Sequence, residues 1–92
     1  MSAIDQKMAT LAQRFAARAA DERAGLAAEL AQDDRDAVRQ RAHKLAGIAP
    51  MFGFPALGEA ALDLEMAAEE DADMAAPGAA VLALLEAIFR PQ

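Results

Sequence analysis

The chain has 92 residues and a formal net charge of -6, enough for one small domain that buries about 60–65% of its unfolded surface. The lack of cysteine excludes disulfides, thiolate catalysis and a cysteine-based metal site, and the acidic balance argues against general nucleic-acid binding. No apolar run approaches the roughly 20 residues that span a bilayer, and the N-terminal MSAIDQKMATLAQRF lacks the layout of a signal peptide.

The first predicted element is helical. Ile4, Met8, Leu11 and Phe15 recur at spacings of four, three and four, one face of an amphipathic helix. The stripe resumes at Leu26 and Leu30 after a polar patch at Asp21-Glu22-Arg23 and Gly25. We expect one long helix to about Ala31, a kink near Gly25 being the alternative. Gln32-Asp33-Asp34 forms the break, with Asp33 or Asp34 as N-cap of the next helix.

Helix two is expected from about Arg35 to about Met51, with Val38, Ala42, Leu45, Ala49 and Phe52 as its apolar stripe. Pro50 removes a hydrogen bond and crowds the carbonyl of Ala46, so a kink or early end is expected there. Gly53-Phe54-Pro55 is the turn. Pro55 opens helix three, where its missing N–H costs nothing. Leu57, Ala61, Leu64 and Ala68 keep the helical period to about Glu70. Asp71 to Ala76 reads as a loop and Pro77 as the start of helix four. Val81, Leu84, Leu85, Ile88 and Phe89 form its buried face, and Pro91 stops it. Loops this short join antiparallel neighbours, so residues 1–92 read as one all-α, up-down-up-down four-helix bundle.

His43 is the only histidine. At about 100° per residue it points roughly 140° away from Val38, off the apolar stripe. Gly47 lies about 40° further round and one turn on, and Arg39 about 40° to the other side. Arg35, Arg39, Arg41 and Lys44 form a basic collar, which suits an anionic partner or a phosphoryl group. Beyond Lys44 the only cation is Arg90, against eight acids. Ser2 and Thr10, the only hydroxyl residues, precede His43 by a whole helix, so a Ser-His-Asp triad is improbable. There is no glycine-rich phosphate loop. One histidine without cysteine does not make a metal site, and Glu65, Glu69 and Glu70 read as a solvated face.

The stretch Ala42-His43-Lys44-Leu45-Ala46-Gly47, then Gly53, then Leu57 with Leu64-Glu65, resembles the histidine-containing phosphotransfer (Hpt) domains of bacterial two-component phosphorelays. The matching residues cover about a third of the chain, and its helical periodicity suits that family's four-helix bundle. The resemblance implies that His43 accepts a phosphoryl group, through Nε2, from a receiver-domain aspartate or a histidine kinase and passes it to another receiver. It makes Gly47 the clearance position for the partner. Many members carry a lysine three residues after the histidine. This chain has Ala46 there, which leaves Lys44 and Arg39 as the supporting cations. Pro50 falls where members often have a small residue.

Ile48 and Met51, read as lying off the core stripe, are the expected docking residues. The resemblance further implies a phosphocarrier without its own nucleotide site, metal or cofactor, with magnesium carried by the partner receiver. The expected partners are a receiver domain, a hybrid histidine kinase, or both, with no nucleic acid and no membrane. A cytoplasmic monomer is expected, free-standing by its Met1 and its end at Pro91-Gln92. A non-phosphorylated four-helix module that binds a receiver or kinase through the same face is the alternative. A structural bundle that dimerises through its alanine-rich surface is a third.

Overall fold

The computed structural model describes residues 3–90, and side chains from residue 6 onward. Ile4 of the first stripe, Ser2 and Pro91 therefore lie outside the described side chains. Four helices follow in order: α1 (Ala3–Ala31), α2 (Arg35–Ile48), α3 (Pro55–Glu69) and α4 (Ala75–Phe89), with a 3-10 turn at Pro50–Phe52. Each helix packs against two neighbours in the cycle α1–α2–α3–α4, and among the described residues the backbones of the diagonal pairs make no close contact. This is the expected antiparallel four-helix bundle. Its centre is fully buried Phe15, Leu26, Val38, Leu45, Leu57, Leu64, Val81 and Leu85, one or more from every helix.

Helix α1 runs through Gly25 without a break for 29 residues, about 43 Å at 1.5 Å per residue. Its neighbours have 14 or 15 residues, about half that length. Residues 6–14 of α1 consequently include no buried side chain, and burial starts at Phe15. From there Phe15, Ala19, Glu22 and Leu26 are all buried. The inward stripe is thus unbroken across the polar patch. Phe52 and Phe54 close this end of the bundle, their ring centroids 5.5 Å and 5.4 Å from that of Phe15.

Three helix ends use one device. Asp33, Gly53 and Asp71 adopt left-handed backbone angles, with φ of 52°, 93° and 56°. The next residue in each case donates its N–H to a carbonyl five positions back: Asp34 to Glu29, Phe54 to Ala49, Ala72 to Ala67. That closure satisfies carbonyls the helix leaves open. Asp34 then caps α2, its Oδ1 accepting from the N–H of Ala37 at 3.2 Å.

Two boundaries differ from expectation. Helix α2 ends at Ile48 instead of Met51, because Pro50 has no N–H to continue it and the chain tightens into the 3-10 turn. Helix α4 begins at Ala75 instead of Pro77. First-turn N–H groups have no intrahelical partner, so proline fits there at no cost. The side chain of Asp73 accepts from the N–H of Ala75 at 2.8 Å and fixes the start.

Candidate functional site

Burial of Val38, Ala42, Leu45 and Ala49 turns the opposite face of α2 to solvent. His43 stands there with its side chain 73% exposed. Its ring is held. Nδ1 lies 2.7 Å from Oε2 of Glu65 on α3, whose side chain is only 12% exposed. A carboxylate can only accept, so Nδ1 donates the hydrogen in this contact, and in the neutral form of the ring so oriented it is Nε2, on the other side, that has the lone pair.

The α2–α3 seam is tight because its residues are small. A Cβ on Gly58 would sit 3.5 Å from the carbonyl oxygen of Ala46 on α2, and 2.7 Å and 2.9 Å from the ring of Pro50 in the turn that follows it. That close approach puts Glu65 within reach of His43. Between the helices runs an open groove lined by His43, Ala46, Gly47, Pro50, Pro55, Gly58, Glu59, Leu62 and Glu65. Gly47 is exposed, and a Cβ there would meet nothing within 4 Å. Beside the imidazole there is room.

The basic collar does not face this groove as a set. On the α1 side, Lys44 Nζ lies 2.8 Å from Oε2 of Glu22. Arg41 binds Glu22 through Nη1 and Glu29 through Nε at 2.7 Å. Arg18 adds a third cation to Glu22 at 3.5 Å. Burial would raise the Glu22 carboxyl, but hydrogen bonds from Lys44 and Arg41 outweigh it and hold the group below its ordinary value. The hydrogen bond to Glu29 leads in pushing Arg41 upward, against its own desolvation. Gly25 has no side chain to obstruct the Arg41 guanidinium, which lies where its Cβ would be. Arg39 pairs with Asp36 at 3.0 Å. Arg35 closes the end of α3, donating to the carbonyls of Ala67 at 3.1 Å and Ala72 at 3.0 Å. The four cations lie together in sequence but divide among three places: Lys44 and Arg41 at Glu22 on α1, Arg39 at Asp36 on their own helix, and Arg35 at the end of α3.

The two expected docking residues differ. Met51 is 70% exposed. Ile48 is half-buried and packs against the core. It stands three residues after Leu45, about 60° round, on the edge of the stripe and not well off it. Leu62 and Met66 of α3 are exposed apolar side chains that the sequence reading passed over.

Glu65 is the main site residue it missed. Assigned to a solvated face, it is buried. The signal was present: Gly58, Ala61, Glu65 and Ala68 recur at spacings of three, four and three, and all are buried. Among the described residues, no three histidine or carboxylate side chains converge as a metal ion would require. Among the described residues, no helix is long and apolar enough to cross a membrane.

A comparison with protein-family models matches residues 10–90 to the Hpt domain. The chain belongs to the Hpt domain family. Hpt domains take part in phosphotransfer in two-component phosphorelays, interact with receiver domains and kinases, and are phosphocarriers and not enzymes with nucleotide sites. Comparisons with curated proteins and with solved structures gave no match.

Proposed function

We propose that this Hpt domain is a phosphorelay intermediate. It accepts a phosphoryl group on Nε2 of His43 from a receiver aspartate, or from a histidine kinase, and passes it to another receiver. The observation that carries the reading is the Nδ1–Glu65 hydrogen bond on an otherwise exposed ring.

In the transfer step the Nε2 lone pair attacks phosphorus and a P–N bond forms. The P–O bond to the donor aspartate breaks, and the carboxylate leaves with the electron pair. No proton needs to move, because Nδ1 keeps its hydrogen. The phosphorylated ring is then a cation, and the Glu65 carboxylate beside Nδ1 offsets that charge. Domain and donor need only be aligned. Gly47 leaves the space through which the donor approaches, and Met51, with the exposed edge of Ile48, borders it. Lys44 and Arg39 add only weak charge assistance, since each is partly exposed and already paired. Magnesium belongs to the receiver in this reading, and the chain acts as a cytoplasmic monomer.

The test is to incubate the protein with a panel of phosphorylated receiver domains and follow label on the chain. His43→Gln should remove an acid-labile label while helical circular dichroism and melting temperature stay nearly unchanged, as for most surface substitutions. An acid-stable label that persists on His43→Gln would place phosphorylation elsewhere.

A further inference from the structure

Helix α3 carries Glu59, Asp63, Glu65 and Glu69 and no lysine or arginine. Glu65 turns inward to His43. Glu59, Asp63 and Glu69 are exposed, and among the described residues none of them has a cation within 4 Å. Every cation of α2, by contrast, is held by a carboxylate of this chain. The net charge left over beside the groove is negative.

The same face holds most of the large exposed apolar side chains. Leu62, 48% exposed, lines the groove with His43, Gly47 and Glu59. Met66, 47% exposed, stands one turn along α3 from Leu62. Met51 follows Pro50 at the groove's end. On α3, residues 59, 62, 63, 66 and 69 recur at helical spacing, so carboxylates flank an apolar strip.

We propose that this face docks a receiver domain whose contact surface is apolar at its centre and rimmed by lysine or arginine. The inference rests on the phosphotransfer reading and names the partner's chemistry. Leu62, Met66 and Met51 lose water against an apolar centre. Glu59, Asp63 and Glu69, unpaired among the described residues, gain cations across the interface, whereas an acidic rim would set like charges together and weaken binding. A phosphoryl group brings further negative charge to a groove lined, among the described residues, by no lysine or arginine, so most of the positive charge arrives with the partner. The sequence had suggested the reverse, a basic collar that invites an anionic partner.

The test uses the whole chain, the Glu59→Lys/Asp63→Lys variant, and the receiver from the panel that transfers fastest. Transfer kcat/KM is measured at about 0.05 M and about 0.5 M salt, and folding is checked by circular dichroism. Wild-type kcat/KM should fall about tenfold as salt rises. The variant should lose about as much at low salt and little at high salt. A wild-type rate that rises with salt overturns the proposal, as does a variant that transfers as fast as wild type at low salt.

Titration calorimetry with the same receivers, unphosphorylated, separates this inference from the reading beneath it. If the charge reversal abolishes binding although His43 takes no phosphoryl group, the docking surface stands and the phosphotransfer reading falls. If no receiver binds or transfers, both fall.

Discussion

Lys44 follows His43 directly in the chain, yet its Nζ lies 2.8 Å from Glu22 on α1 while His43 leans onto Glu65 of α3. One helix thus hands consecutive side chains to opposite neighbours. Lys44→Ala and Arg39→Ala should therefore each slow transfer only modestly, within about fivefold, the most that a partly exposed ion pair of up to about 1 kcal/mol supports. The double variant should cost more, and raising salt should narrow the differences. Single-turnover transfer at two salt concentrations measures this. A loss of a hundredfold in either single variant would show a direct role at the phosphoryl group.

Glu65 acts on the reaction through the ring it holds. Glu65→Ala should release the imidazole, shift its tautomer away from the Nδ1–H form and slow transfer about tenfold or more. Glu65→Gln keeps an acceptor and should fall between. Nitrogen-15 spectra of the ring read the tautomer independently of any transfer assay. An unchanged tautomer in Glu65→Ala would remove the positioning role.

The Glu22 carboxyl is lowered in the folded state, so its contribution is complete above the ordinary value of 4.5 and is lost as pH falls through the folded value. Glu22→Gln should cost about 1–2 kcal/mol at neutral pH, because Lys44 loses its partner and Arg41 keeps only Glu29. That gap from wild type should shrink on acidification below about pH 4.5. Urea unfolding across pH measures it.

Gly47 and Gly58 lie on facing helices and should respond in opposite directions. Gly47→Ala, with open space for its Cβ, should stabilise the domain by up to about 1 kcal/mol through helix propensity alone. Gly47→Leu should fold and transfer slowly. Gly58→Ala must push against the Pro50 ring and should destabilise by about 1–3 kcal/mol. Thermal melts of the three variants settle the signs.

Large aliphatic and aromatic residues at helical spacing made the bundle legible, and the His43-to-Gly47 stretch made the site legible. What escaped was carried by alanine and glutamate. Ala19 and Glu22 continue the α1 stripe between Phe15 and Leu26, but a pattern of large apolar residues shows a gap there. Glu65 was hidden in the same way among Gly58, Ala61 and Ala68. A carboxylate on a buried small-residue stripe needs a cation or a donor from the facing helix, and only the packed structure shows which: Lys44 and Arg41 for Glu22, His43 for Glu65. Spacing on α2 placed its four cations near one another but could not show that Arg41 and Lys44 turn toward α1.

The length of α1 divides one continuous helix into two stability regimes. From Phe15 onward its backbone lies in the packed core, and those amides can exchange with solvent only when the whole domain opens. Ahead of Phe15, residues 6–14 have no buried side chain and only Leu11 and Ala12 are half-buried, and a helical segment of that length with so little packing is marginal in water. Amide exchange along α1 should therefore change abruptly near Phe15, fast on one side and globally protected on the other, where Phe52 and Phe54 meet its ring.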